Sequence, residues 1–208
     1  MRSVLIGSLL AATIAGAYAD SSAIERLKEG NERFIHQKML HPRIDSADRE
    51  GLENAQRPFA AILSCSDSRV PPEIVFDQGL GDLFTVRIAG NVVKDVVLGS
   101  LEYAVLHLKT KAIVVMGHTH CGAVKAAIAG ERQQNHIDVL IESIHPAVAL
   151  ARKDRGDLET NAVYENVRQS MREIVLDSPA LKTEAAAGRL SIFGAVYNLT
   201  SGEVEFIK

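Results

Sequence analysis

Three residues with nitrogen or sulfur ligand atoms stand in two short segments of this 208-residue chain. Its only two cysteines are Cys65 and Cys121, and His118 precedes Cys121 by three positions. A histidine and a cysteine at this spacing can reach one metal ion, and a second cysteine would complete a Cys2His set that suits zinc. Three protein ligands leave one tetrahedral position for water or substrate, which is typical of a catalytic zinc site.

Spacing alone leaves other interpretations of these residues open. Buried free cysteines are common and unreactive, and Cys65 and Cys121 could instead form a disulfide. His120 competes for the role of ligand, but it is adjacent to Cys121 and less easily directed at the same ion, so we favour His118. A thiol oxidoreductase would normally carry a C-x-x-C motif, which the sequence lacks.

A carboxylate and a guanidinium group follow the first cysteine in the segment Cys65-Ser66-Asp67-Ser68-Arg69. If the chain is extended there, the side chains of Cys65, Asp67 and Arg69 point to one side. Asp67 would then lie beside the metal, and a charge-assisted pair with Arg69 would keep it an ionised acceptor. The alternative is an unrelated aspartate and arginine in a polar loop.

Short apolar runs predict the strands that would position these residues. The runs are 59–63, 83–89 and 112–116, and the helical spacing of apolar residues in 92–108 predicts a crossover helix. Each cysteine follows one of these strands closely, and the carboxyl ends of parallel strands form the usual ligand crevice. We therefore expect one end of a parallel sheet to bring the two cysteines together.

The remaining pattern predicts a single α/β domain over residues 20–208, with a mainly parallel β-sheet flanked by helices. The capping box Ser22-Ala23-Ile24-Glu25 predicts the start of an N-terminal helix, and 41–57 is polar and turn-rich. Further elements are predicted as helices at 123–129, 138–151 and 157–176, and as a C-terminal antiparallel edge hairpin of 191–199 and 203–207 around Thr200-Ser201-Gly202.

The composition is that of a soluble globular domain, with 47% hydrophobic and 24% charged residues. The formal net charge is −3 and no run of lysine and arginine occurs, so we expect no nucleic-acid partner. Two cysteines in 208 residues exclude a scaffold held together by disulfides.

The first 19 residues predict a secretory signal peptide. Arg2 gives a positive start, Val4 to Ala15 is an almost unbroken apolar run, and Ala17-Tyr18-Ala19 supplies the small residues of a cleavage site. We expect cleavage after Ala19, a periplasmic location and no membrane association of the mature chain. The run is shorter than the roughly 20 residues that cross a bilayer, so an uncleaved anchor is the less favoured alternative.

Four motifs, in this order, resemble those of the β-class carbonic anhydrases. They are Cys65-Ser66-Asp67-Ser68-Arg69-Val70-Pro71, then Gly81-Asp82-Leu83-Phe84 leading to Arg87-Ile88-Ala89-Gly90-Asn91, then Glu102-Tyr103-Ala104-Val105, and finally Gly117-His118-Thr119-His120-Cys121-Gly122. The resemblance implies a Zn²⁺ enzyme that hydrates carbon dioxide reversibly to bicarbonate and a proton by attack of zinc-bound hydroxide. It also implies that Cys65, His118 and Cys121 bind the zinc, and that Asp67 and Arg69 gate and orient the metal-bound water.

The same resemblance implies roles for residues around the metal. Gln56 matches a glutamine that reaches the substrate from the neighbouring subunit, which implies a homodimer or homotetramer. Phe84 and Tyr103 match the apolar pocket for carbon dioxide, and Gly122 matches a glycine whose amide borders that pocket. His107 matches a position suggested for proton relay, although a histidine in a helical run can equally be a packed residue.

Two positions depart from the family pattern. Members regulated by bicarbonate carry a tryptophan where this chain has Ile62, and the sequence has no tryptophan, which disfavours the regulated subtype. Ala89 stands where some members place valine, so the volume of the pocket is not implied by the resemblance.

The family resemblance leaves competing functions and sets one expectation on pH. A relative that hydrolyses carbonyl sulfide or carbon disulfide is one alternative. An exported zinc-binding or adhesion protein is another, against which Asp67, Arg69 and Gln56 argue because metal storage does not need them.

Two thiolates would cancel the charge of the zinc ion, so we expect activity to rise toward alkaline pH.

Overall fold

The computed structural model describes residues 9–130 and 132–207, with side chains described from Ser22 onward. Five strands form one sheet in the order β2-β1-β3-β4-β5. They are β1 Ala60–Ser64, β2 Leu83–Arg87, β3 Ala112–His118, β4 Ser191–Tyr197 and β5 Val204–Ile207. The first four strands are parallel to their neighbours, and β5 pairs antiparallel with β4 at the edge. The predicted α/β class and the C-terminal hairpin are therefore confirmed.

Eight α-helices flank this sheet in the described part of the chain. They are α1 Leu9–Ile35, α2 Ser46–Leu52, α3 Pro72–Val75, α4 Asp95–Glu102, α5 Gly122–Ala129, α6 Ile137–Ala151, α7 Leu158–Asp177 and α8 Pro179–Ala186. The helices predicted within 123–176 are confirmed. The segment 41–57, predicted as turns, contains α2, which Asp45 caps and which buries no residue, so no apolar stripe marks it in the sequence.

The predicted N-terminal helix is confirmed, and Ile24 and Leu27 are buried as its apolar stripe predicted. In the described residues the helix extends from Leu9 to Ile35, so in the full chain Ser22 lies inside α1 and does not cap it. Residues 1–8 of the predicted signal peptide lie outside the described residues, and the signal peptide stays a prediction. In the described part of the chain, no helix combines the length and apolar character that a membrane span requires.

Both faces of the sheet are covered by helices, which explains the continuous apolar runs of its central strands. Alternate residues of each strand enter two separate cores. Leu63 and Val115 pack with buried residues of α4, α5, α6 and α7, whereas Ile62 and Val114 pack on the opposite face with Leu27 of α1. The sheet thus forms the middle layer of a three-layer sandwich.

The order of the strands creates a crevice at the carboxyl ends of β1 and β3. The chain runs from β1 to β2, which lies on one side of β1, and then crosses to β3, which lies on the other side. At such a switch in strand order, the connections on either side turn away from each other and leave a crevice. The register pairs Ser64 with Met116, which places the residues that follow each strand side by side. Cys65 comes directly after β1, and His118 is the last residue of β3.

The crossover between β2 and β3 is helical, as predicted, but it is not one regular α-helix. Helix α4 ends at Glu102, and the next turn, Tyr103–His107, is π-helical. Single π-helical turns are rare and are frequently found at functional sites. This turn contains Tyr103, which the family resemblance assigns to the substrate pocket, and His107, which it assigns to proton relay.

Asp77 anchors the loop that follows α1, and its side chain is fully buried. Its carboxylate accepts hydrogen bonds from Arg33 Nε at 2.6 Å and from the backbone amides of Leu40 and His41, each at 3.0 Å. Burial raises the pKa of Asp77, but these hydrogen bonds outweigh burial and hold the pKa below its ordinary value. The ionised form is therefore the one that stabilises the fold.

We expect Asp77→Asn to lower the free energy of unfolding by about 2 kcal/mol at neutral pH. Because the folded-state pKa is depressed, this contribution is complete above the unfolded pKa of about 4 and is lost as the pH falls through the folded value. Urea unfolding at neutral and acid pH checks both points, with the exposed Glu25→Gln as control. A difference from the wild type that stayed constant into acid would contradict this account.

Candidate metal centre

Cys65, His118 and Cys121 meet in the crevice between β1 and β3. One ligand atom of each residue lies within 4.8 Å of the other two, and all three residues are buried. Cys121 is the N-cap residue that directly precedes α5. The end of β1, the end of β3 and the start of α5 thus supply one ligand each. The parallel register of β1 and β3 is what brings positions 65 and 121 together.

The imidazole of His118 presents an unused nitrogen to this cluster. Its Nδ1 lies 2.9 Å from the carbonyl oxygen of Thr119, and because a carbonyl only accepts, Nδ1 carries the proton. Nε2 of the neutral ring is then a lone pair, buried and without a hydrogen-bond partner. An orphaned buried nitrogen is costly, and a histidine that bonds a carbonyl through one nitrogen while offering the other is the usual arrangement of a metal ligand.

The two sulfur atoms complete a donor set that fits zinc. Both cysteines are free, so the disulfide alternative is not formed. The contact between them lowers the pKa of Cys65 and raises that of Cys121, because a thiolate at one sulfur is stabilised by the proton kept at the other. Two thiolates and an imidazole are ligands that zinc prefers, and a bound cation would replace the remaining proton.

Asp67 and Arg69 form a two-pronged ion pair beside the cluster. Arg69 Nε donates to Asp67 Oδ1 at 2.9 Å and Nη2 donates to Oδ2 at 2.7 Å, and the Arg69 backbone amide adds a bond to Oδ1 at 3.0 Å. The arginine hydrogen bonds, opposed in part by burial, hold the pKa of Asp67 well below its usual range. Asp67 Oδ2 lies 3.9 Å from Nε2 of His118, so an ionised carboxylate borders the metal position.

Two groups near Cys65 were not identified from the sequence. Arg87, the last residue of β2, donates to the backbone oxygens of Cys65 at 3.1 Å and of Asp67 at 2.5 Å, and so braces the loop that carries both. The backbone amide of Gly90 donates to Cys65 Sγ at 3.3 Å. Both residues stood in a motif that resembled the family, but only their contacts reveal what they do.

The structure places the two predicted pocket aromatics and the suggested relay histidine in one row of rings. The rings of Phe84 and Tyr103 have their centroids 6.1 Å apart, and the Tyr103 ring stacks on His107 at 5.2 Å. Tyr103 is 47% exposed although its ring is large and mostly apolar. His107 is also exposed, so the alternative of a histidine packed in the core is not what the structure shows.

The other predicted residues lie at different places around the cluster. Gly122 is the first residue of α5 and is exposed. Gln56 is exposed between α2 and β1 and has no hydrogen bond with the described residues. His120, the competing ligand, points away from the cluster, because its Nδ1 lies 3.2 Å from Glu159 Oε1 and its side chain is 59% exposed.

Comparisons with known proteins agree with this geometry. A family model described as carbonic anhydrase matches residues 60–204. A carbonic anhydrase of Mycolicibacterium smegmatis is 42% identical over 188 residues, which cover 88% of this chain and 91% of the relative.

Two solved β-carbonic anhydrases have the same fold. The β-carbonic anhydrase CcaA is 29% identical, with a TM-score of 0.71 over 89% of this chain and 95% of the other. A Coccomyxa β-carbonic anhydrase, solved in complex with acetazolamide, is 30% identical, with a TM-score of 0.70 over 77% of each chain. Since the family model spans most of the chain and the identity to the mycobacterial enzyme extends over nearly all of it, the chain belongs to the β-class carbonic anhydrases.

Proposed function

We propose that this protein hydrates carbon dioxide reversibly to bicarbonate and a proton, with one Zn²⁺ held by Cys65, His118 and Cys121. The observation that carries the proposal is the buried, unpartnered Nε2 of His118, which faces two free thiols beside an ionised carboxylate. Zinc bound there would act as a Lewis acid and lower the pKa of water from about 15.7 toward neutrality.

Asp67 would orient the attacking water. Arg69 donates a hydrogen bond to each carboxylate oxygen of Asp67, and this bidentate pair keeps the carboxylate ionised and fixes its orientation. An ionised Oδ2 can accept a hydrogen bond from the water, which aims the remaining lone pair at the carbon of the substrate. If the pair opens, the same carboxylate is close enough to His118 to turn toward the metal, and the pair thereby gates the site.

The aromatic row suits a substrate without charge. Phe84 and Tyr103 would offer carbon dioxide an apolar wall, and the Gly122 amide and Gln56 would contact its oxygen atoms. His107, exposed and stacked on Tyr103, would relay the released proton to solvent.

We also propose that the active form is a homodimer or homotetramer. Two observations support this. Gln56 is exposed and has no hydrogen bond with the described residues of its own chain, and Val96 and Tyr103, both in the crossover, are 77% and 47% exposed although their side chains are large and mostly apolar. A neighbouring copy would bury those side chains and supply its glutamine. Light scattering of the purified protein measures the assembly.

Export to the periplasm, with cleavage after Ala19, is likewise a proposal, supported by the charge and apolar pattern of residues 1–19. After processing, residues 20–35 of α1 would remain, including the buried Ile24 and Leu27 that pack on the sheet. Sequencing the N-terminus of the exported protein tests the cleavage position.

Stopped-flow hydration of carbon dioxide, with zinc measured on the same sample, tests the proposed function. We expect one zinc per chain and hydration that rises from acid to alkaline pH. Carbonyl sulfide and carbon disulfide are assayed in parallel, and faster hydrolysis of either would reassign the substrate. If the protein bound one zinc per chain but turned over none of the three substrates, the proposed enzymatic activity would be wrong and only the proposed zinc site would be supported.

A further inference from the structure

Two polar side chains interrupt the apolar face that α7 presents to the core. Asn166 and Ser170 lie one helical turn apart and are 2% and 1% exposed, in a row with Val163 and Val167. Buried polar groups at such positions lower stability unless they are hydrogen-bonded. Both side chains find their partners in the same place, the turn that follows β2.

The partners are consecutive residues of that turn. Asn166 Nδ2 donates to the carbonyl oxygen of Gly90 at 2.7 Å, and Ser170 Oγ donates to the carbonyl oxygen of Asn91 at 2.9 Å. Gly90 and Asn91 both have positive φ values, 70° and 46°, which glycine adopts without steric cost and asparagine tolerates better than most residues. The two bonds from α7 fix the position of this turn against the helix.

The opposite side of the same turn contacts the metal centre. The amide of Gly90 donates to Cys65 Sγ at 3.3 Å, so Gly90 is bonded through its N–H to a metal-ligand sulfur and through its C=O to α7. An added Cβ at Gly90 would lie 2.6 Å from Ile144 Cδ1 and 3.1 Å from Ala123 Cβ, so helices α5 and α6 pack closely against the turn. Gly90 therefore links the side chain of Asn166 to the sulfur of Cys65 through its two backbone hydrogen bonds.

We propose that Asn166, assisted by Ser170, is a positioning residue for Cys65: it fixes the Gly90 turn so that the Gly90 amide donates to the cysteine sulfur. That bond draws charge from the sulfur and sets how much charge the thiolate gives to the metal. The inference deepens the proposed function and rests on it, because it requires Cys65 to bind the metal. Groups that orient a metal ligand in this way commonly change metal affinity by about 10- to 100-fold when they are removed.

The test compares Asn166→Ala with Asn31→Ala. Asn31 is also a buried asparagine that bridges backbone groups, donating to Val75 O and Gly202 O, but it lies on the other face of the sheet. Both variants should lose stability to a similar extent. Only Asn166→Ala should raise the zinc dissociation constant, by about tenfold, in competition with a chelator.

The absorption spectrum of the cobalt-substituted protein gives a second measurement, which would not change if Asn166 only stabilised the fold. In the Co²⁺-substituted protein, loss of the N–H···S bond raises the energy of the sulfur electrons, so the thiolate-to-cobalt absorption should shift to longer wavelength in Asn166→Ala. Asn31→Ala should keep the wild-type band. If Asn166→Ala does not fold, Ser170→Ala provides the same comparison, with a smaller shift expected because its partner is one residue further from the sulfur contact.

Each outcome decides one of the two claims. A wild type that binds no zinc would overturn the proposed function and this inference with it. A wild type with one zinc and normal hydration, combined with an unchanged zinc affinity and cobalt band in Asn166→Ala, would overturn the inference alone. A zinc affinity lowered equally by Asn31→Ala would also overturn it, since the effect would then follow from general destabilisation.

Discussion

Replacing Cys65 by serine should abolish zinc binding and lower carbon dioxide hydration by about a thousandfold or more. The substitution keeps the size of the side chain and removes one of the two thiolates. A serine hydroxyl does not ionise near neutral pH, so His118 and Cys121 would be left as a two-ligand site. Metal analysis and stopped-flow hydration on the same preparation measure both losses.

The neighbouring residue provides a matched control. Ser64 is the last residue of β1, fully buried, with a side-chain oxygen that has no hydrogen-bond partner, and it is not one of the three residues of the cluster. Ser64→Ala should therefore keep zinc and turnover and raise the free energy of unfolding by about 1 kcal/mol, because a buried hydroxyl without a hydrogen bond is removed. Full zinc content and full activity in Cys65→Ser would show that this cysteine is not a ligand.

The strands, and the nearness of the two cysteines, could be predicted because apolar runs are strong local signals, whereas spacing alone left the choice of metal ligands open until the family resemblance was considered. A sheet covered on both faces produces unbroken apolar runs, and these runs end where Cys65 and His118 stand. The carboxyl ends of parallel strands lie at the same end of a sheet, and a crevice forms there where the connections switch direction. The sequence alone therefore predicts that positions 65 and 121 lie close together.

Three features could not be predicted in this way, each for a different reason. Ser22-Ala23-Ile24-Glu25 matches a capping box, but the helix already includes the residues before it, as far as Leu9, so Ser22 does not act as an N-cap in the full chain. Helix α2 buries nothing and left no periodic trace. The support that Asn166 gives to Gly90 joins residues 76 positions apart, and only the packed position of α7 against the turn reveals it.

Replacing Arg69 by alanine should leave zinc in place and lower the hydration rate by about a hundredfold or more. Arg69 makes no hydrogen bond to Cys65, His118 or Cys121, and its guanidinium donates to both carboxylate oxygens of Asp67. Without it, Asp67 loses its orientation and lies within reach of the metal position, 3.9 Å from Nε2 of His118. The water would then lose its acceptor, and the carboxylate would compete for its place.

Arg189→Ala is the control that separates the role of this pair from the general loss of an ion pair. Arg189 grips Glu184 with the same two-pronged geometry, at 2.7 and 2.8 Å, and is 59% exposed, compared with 55% for Arg69. It precedes β4, at the end of the sheet opposite the metal centre, so its loss should leave hydration unchanged. Arg69→Lys should recover only part of the rate, because one ammonium cannot hold both oxygens at once. Unaltered turnover in Arg69→Ala, with zinc bound, would show that Asp67 needs no partner to hold its position, and the gating role would be rejected.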